Sequence, residues 1–293
     1  MKKFSLYLMS RKGYVAIRDL VNCGYTQMID KVVIAHDQNM KNDYYEDMAT
    51  VCQEAGIPVY DKKESVTITS DYCIAIAWRW IIPLNEKTKL IIFHDSLLPK
   101  YRGFSPLVNM LINKEPYIGV SSLFASNEYD KGDIIAQRKI KVVYPIKITD
   151  AIDQIAPLYS ELVCEILEKV KKGEDLSSTP QKEEDCSYSL WRCEDDYRID
   201  WSQSAVDIQQ FVYSVGYPFK GASAYMEGNR IRIIEAEPIQ DVKIENRTCG
   251  KVIFMQNGEP VVVCGKGLLQ LKEVWNDDCT ERIKFYKFRT IFY

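Results

Sequence analysis

Leu90-Ile91-Ile92-Phe93-His94-Asp95-Ser96-Leu97-Leu98-Pro99-Lys100-Tyr101-Arg102-Gly103 is an apolar strand that ends at a histidine. A loop marked by proline and glycine then turns the chain away. In an open parallel sheet, ligands bind at the carboxyl ends of the strands, which is where His94 stands. An imidazole there can donate or accept a proton near neutral pH. Taken alone, it reads more readily as a hydrogen-bonded, buried histidine closing a strand.

Upstream, strand and helix signals alternate. Phe4–Met9, Lys31–Ala35, Ile57–Tyr60, Tyr72–Ala77 and Lys89–Phe93 read as strands. Helical spacing covers about Tyr14 to Asn22, after a polar loop Ser10-Arg11-Lys12-Gly13, and again Tyr44–Ala55, which stops at Gly56. Strands separated by helices predict an α/β fold with a Rossmann-like, mainly parallel sheet.

Downstream, Pro106–Asn113 reads as a helix, Gly119–Ala125 and Ile134–Val143 as strands, and Thr149–Lys172 as a long amphipathic helix. The polar stretch Gly173–Asp185 reads as a linker. Beyond it come one helix, Ser204–Ser214, and short strands between glycine turns: Ser223–Met226, Arg230–Ile234, Lys251–Met255, Pro260–Val263 and Leu268–Val274. The expected organisation is a catalytic domain over 1–180, a linker over 181–200 and a smaller, β-rich, barrel-like domain over 201–293. The aromatic tail Phe285–Tyr293 is expected either to dock on that second domain or to contribute to a homodimer.

The chain has 293 residues, 46% of them hydrophobic and 27% charged, with a net charge of -3. That balance argues against a sequence-blind grip on nucleic acid. The apolar run after Lys2-Lys3 is too short for a signal peptide, and no stretch is long and apolar enough for a membrane span, so a cytoplasmic protein is expected. Nine cysteines lie scattered from Cys23 to Cys279 without a C-x-x-C pair, and only two histidines are present. Reduced thiols and no metal site are the expectation.

A second informative segment is Tyr129-Asp130-Lys131-Gly132-Asp133-Ile134-Ile135, a polar turn between strands. By itself it is a tight turn with Asx hydrogen bonds. Together, H-D-S-L-L-P-K-Y-R-G and Y-D-K-G-D-I-I resemble the folate-dependent formyltransferases, most closely the sugar N-formyltransferases, relatives of methionyl-tRNA formyltransferase. Arg198-Ile199-Asp200-Trp201-Ser202 and Tyr217-Pro218-Phe219-Lys220-Gly221-Ala222 resemble that family's entry to its C-terminal domain and a turn within it.

The resemblance implies formyl transfer from 10-formyltetrahydrofolate to a primary amine. His94 takes the place of the catalytic histidine and Asp130 that of the catalytic aspartate. A protonated His94 would stabilise the oxyanion that forms on the formyl oxygen, with Asp130 supporting its charge. The folate site is expected around Trp78, Arg79, Trp80 and Ile81, with Ser96, Leu97, Leu98, Asn127, Glu128 and Tyr129. For the acceptor, Ser10 and Arg11, beside Lys12, and Lys100, Tyr101 and Arg102 are the candidate contacts.

One departure stands out: the family has asparagine two positions before its histidine, and this chain has Ile92. Asn109 or Asn127 taking over that donor, His94 and backbone amides sufficing, or an impaired member that only binds are the readings open. Asp195 to Tyr293 carries 13 Lys and Arg against 14 Asp and Glu. A near-neutral second domain suits a nucleotide-linked amino sugar, as in surface-polysaccharide biosynthesis, better than transfer RNA. Methionyl-tRNA formylation is the alternative.

Overall fold

The computed structural model describes residues 1–38, 40 and 42–293. Among them the chain divides into two compact units. One comprises Met1–Leu107, Tyr117–Lys141 and Ala151–Leu190; the other comprises Val108–Pro116, Val142–Asp150 and Trp191–Tyr293.

The first unit is built on β1 (Phe4–Leu8), β2 (Ile29–Ile34), β3 (Val59–Asp61), β4 (Tyr72–Ile76), β5 (Lys89–His94), β6 (Arg102–Gly103), β7 (Tyr117–Phe124), β8 (Ile134–Lys141) and β9 (Tyr188–Ser189). Its helices include α1 (Ser10–Asn22) and α2 (Tyr45–Glu54); α3 (Pro106–Ile112) and α4 (Ile148–Lys171) run partly in it. A seven-stranded sheet has the order β3-β2-β1-β4-β5-β7-β8. The strands from β3 to β5 are parallel, and β7 and β8 are added antiparallel. This is the mainly parallel α/β sheet expected from the alternation of elements.

Because successive side chains on a strand point to opposite faces, Phe93 and His94 leave β5 in opposite directions. Phe93 stacks on Tyr159 of α4 at 5.7 Å. On the other face Leu90, two places before Ile92, packs against the cluster of Tyr7, Val33, Ile68 and Cys73, as does Trp78. His94, the last residue of β5, continues that second face.

The structure corrects two local expectations. Ser10–Gly13 is the first turn of α1, not a loop. Gly13 is needed there for close approach, since a Cβ on it would stand 3.0 Å from Leu8 Cβ. The stretch read as a linker is bound chain. Thr179 exchanges backbone hydrogen bonds with Ile134 at 2.8 and 2.9 Å, and β9 pairs in parallel with β6.

The second unit holds α5 (Ala205–Ser214), capped by Ser204, whose hydroxyl accepts from Asp207 N at 3.1 Å. Its strands are β10 (Ala222–Met226), β11 (Asn229–Ile239), β12 (Val252–Gln256), β13 (Glu259–Val263) and β14 (Leu268–Asn276), in the antiparallel order β10-β11-β14-β13-β12. Both edges are then joined by the tail. Tyr293 exchanges hydrogen bonds with Tyr225 at 2.9 and 3.0 Å, while Val252 N donates to Thr290 O at 3.0 Å and Phe292 N to Gly250 O at 2.8 Å. Phe292 is buried against Trp201 and Phe285. The tail thus docks on its own domain and closes the sheet. No helix among the described residues is long and apolar enough to cross a membrane.

Candidate active site

His94 is 7% exposed and has an acceptor at each ring nitrogen. Nε2 lies 2.8 Å from the Tyr101 carbonyl oxygen, and Nδ1 lies 3.5 Å from Asp130 Oδ1. A carbonyl only accepts, so Nε2 carries the hydrogen and donates it. The second carboxylate oxygen, Asp130 Oδ2, accepts from Gly103 N at 2.8 Å. Asp130 therefore ties the histidine to the loop that follows it.

Both partners sit on unusual backbone. Asp130 has φ +57° and Tyr101 φ +60°, in the left-handed region. Gln181 holds the Asp130 turn, its Nε2 donating to Asp130 O at 2.7 Å and to Gly132 O at 2.8 Å. Gly132 allows the turn to fold back, because a Cβ there would stand 1.6 Å from Phe124 O. On the other side, Tyr101 N donates to Ser187 Oγ at 2.9 Å and Arg102 N to Ser187 O at 2.9 Å. Nothing local in the sequence marks Gln181 or Ser187, which belong to the presumed linker.

The loop after His94 is wired internally. Ser96 is fully buried, and its hydroxyl donates to Lys100 O at 2.7 Å. Leu98 is buried too, its N–H donating to Ser121 Oγ at 3.1 Å and its carbonyl accepting from Gln137 Nε2 at 2.9 Å. Leu97 is half-buried over Gly119, where a Cβ would come within 2.7 Å of Leu97 Cδ2. In this segment Ser96 and Leu98 thus shape the loop from inside.

The remaining folate candidates follow Ala77, whose φ is +54°. Trp78 is half-buried and meets Tyr7 and Trp80 edge-on at 4.9 and 5.1 Å. Its Nε1 is buried without a hydrogen-bond partner. Arg79 pairs with the buried Asp37, and the Lys62 ammonium lies over the Trp80 ring at 3.2 Å. Ile81 is 91% exposed. Asn127, Glu128 and Tyr129 are exposed on the rim of the Asp130 turn, with Glu128 paired to Lys131 at 2.6 Å.

The acceptor candidates are placed differently from expectation. Arg102 is 0% exposed, and its guanidinium donates to Gln181 Oε1, to both Glu183 carboxylate oxygens and to Tyr188 OH at 2.8 to 3.3 Å. It fastens the chain after residue 180 to the loop that follows His94 and does not face solvent. Arg11 bonds Asp153 at 2.7 Å and Tyr44 OH at 3.0 Å, and Ser10 opens α1. Lys12 is committed to Asp95. Lys100 stays exposed, and Tyr101 offers its carbonyl to His94. Of the asparagines considered in place of the missing donor, Asn109 accepts from Arg192 Nη2 at 2.8 Å, and Asn127 is exposed. Ile92 is half-buried between Ala75 and Leu123 of the neighbouring strands.

Two family models match this chain: "Formyl transferase" over residues 32–166 and "Formyl transferase, C-terminal domain" over 193–283. The chain belongs to the formyl transferase family. Its members are N-formyltransferases that draw on formyltetrahydrofolate. This formyltransferase is 29% identical over 236 residues to the methionyl-tRNA formyltransferase of Streptococcus agalactiae, covering 76% of this chain and 74% of the relative. Its fold is shared with an N-formyltransferase from Helicobacter canadensis, solved with folinic acid and dTDP-3-aminofucose, at TM-score 0.69 and 14% identity over 92% of this chain and 99% of that one. It is also shared with HypX from Aquifex aeolicus, solved with tetrahydrofolic acid, at TM-score 0.64 and 20% identity. That match covers 97% of this chain but 46% of HypX.

Proposed function

We propose that this formyltransferase carries a formyl group from 10-formyltetrahydrofolate to the primary amine of a nucleotide-linked amino sugar, with His94 and Asp130 as its catalytic residues. The observation that carries the reading is the pairing of His94 with Asp130 at the carboxyl end of β5. The folate donor supplies an acyl carbon attached to a nitrogen leaving group. Around it the residues fit: Trp78 and Trp80 offer an aromatic wall, and Trp78 Nε1 is a buried donor awaiting an acceptor.

In this mechanism the attacking amine forms the new C–N bond while negative charge gathers on the formyl oxygen. His94 answers that charge through Nε2–H, turned from the Tyr101 carbonyl to the oxyanion, while Nδ1–H stays with Asp130. Asp130 orients the ring and accepts the amine proton through water, passing it to the departing nitrogen. Asparagine at position 92 being absent, His94 carries the oxyanion with less side-chain help.

The near-neutral second domain supports a small acceptor, and so does the nucleotide-linked amino sugar held by the Helicobacter canadensis protein of similar fold. Exposed Lys100, Phe104 and Tyr188 border the catalytic loop, a cation and two rings suited to a diphosphate and a base. The curated relatives favour a second reading, formylation of methionyl-tRNA. One assay separates them: release of tetrahydrofolate from 10-formyltetrahydrofolate with a panel of nucleotide-linked amino sugars and with charged initiator tRNA. Turnover is expected with a sugar. Turnover with the tRNA alone would replace the reading, and binding without turnover on any acceptor would leave a binding module.

A further inference from the structure

Directly after His94, Asp95 turns to the opposite face of β5 and enters a contact the formyl-transfer chemistry does not use. Its Oδ2 accepts from Lys12 Nζ of α1 and its Oδ1 from Tyr159 OH of α4. The Lys12 and Asp95 side chains are only 12% and 18% exposed. Tyr159 is buried, stacks on Phe93 at 5.7 Å, and has the Lys12 ammonium 5.7 Å from its ring centre.

We infer that Lys12 and Tyr159 are positioning residues that set the His94 ring by clamping Asp95. The clamp joins two helices to the residue between the catalytic histidine and its loop. His94 O accepts from Ser96 N at 2.9 Å, so Asp95 is the pivot of the turn. The same loop returns six residues later with the Tyr101 carbonyl that receives Nε2–H. Holding Asp95 therefore fixes both the root of the imidazole and the start of the segment carrying its acceptor. Gly13 lets the first turn of α1 press on the end of β1, which brings Lys12 within reach.

The energetics make the contact selective about its partners. A largely buried carboxylate is costly unless a cation and hydrogen bonds compensate it, and here a cation and a phenol do so. Burial acts to raise the Asp95 carboxyl, but the charge and hydrogen bond of Lys12, the hydrogen bond of Tyr159 and the charge of His94 outweigh it and hold it below the ordinary value. Lys12 is consequently withdrawn from any phosphate-binding role, in contrast to the reading of Ser10-Arg11-Lys12 as an anion cluster.

The inference rests on His94 being the reacting histidine, but its test does not require that. The chain has only His36 and His94, so imidazole ¹⁵N–¹H spectra are simple to assign with a His36→Gln control. Folded Lys12→Met is expected to move the His94 resonances and leave those of His36 in place. Lys12→Arg, which keeps the charge, is expected to restore them in part. In formyl transfer, kcat of Lys12→Met should fall about tenfold with both KM values within about twofold of wild type. His94 signals that superimpose on wild type in Lys12→Met would overturn the inference, as would a raised acceptor KM at unchanged kcat. Should Lys12→Met fail to fold, Tyr159→Phe, which removes one hydroxyl and keeps the ion pair, must show the same His94 displacement. Failure of the functional reading is seen separately, as turnover surviving His94→Ala.

Discussion

His94 and Asp95 are neighbours in the chain, yet the two faces of β5 hold them in opposite ways. On one side, His94 has a carbonyl at 2.8 Å and a carboxylate at 3.5 Å, both supplied by loops with left-handed residues. On the helix side, Asp95 is gripped by Lys12 and Tyr159 from two helices. The difference separates two tasks. In the proposed reaction the group that exchanges partners is held by contacts that are exchangeable, and the group inferred to anchor it by contacts that are not.

The comparison breaks most visibly on the His94 side. His94→Ala and Asp130→Asn should each lower kcat by about 10³-fold, with melting temperature close to wild type, as read by tetrahydrofolate release and thermal unfolding. Retained turnover in either would remove the catalytic assignment from this face.

Arg102 sharpens the contrast, since it lies in the loop that follows His94 but is buried like an anchor. Arg102→Leu should cost about 2 kcal/mol or more of stability, because Gln181, Glu183 and Tyr188 lose their common donor. The acceptor KM should stay within about twofold. A raised KM at an unchanged melting temperature would instead make Arg102 a substrate contact.

The smallest effect is acidic. The Asp95 carboxyl is held below its ordinary value, so its contribution to stability is complete above the ordinary aspartate value of about 4 and is lost as pH falls through the lower folded value. The gap in melting temperature between wild type and Asp95→Asn should therefore narrow on acidification below about pH 4. A gap that does not change with pH would show that the carboxylate charge contributes nothing to the clamp.

The His94 side was the legible one. An apolar run ending in His94 announces a strand terminus, and alternating elements upstream announce a parallel sheet around it. Asp130 became readable through its motif. The helix side was not legible, because Lys12 and Asp95 are 83 residues apart and Asp95 and Tyr159 64 apart. Local periodicity says nothing about which charges meet at that distance. Arg102 misled for a related reason: a cation in a motif looks available until the fold supplies Glu183 and Gln181. Gln181 and Ser187 were hidden in a polar stretch whose composition suits a linker, though its backbone is paired.

The tail that closes the second unit has a consequence for biosynthesis. Its closing residues 290–293 follow every strand they join, so β10 and the start of β12 keep open edges until those residues have left the ribosome. Open edges recruit other strands, and a growing chain exposes them for as long as the remainder takes to synthesise. In this protein residues 290–293 are the ones that end that exposure.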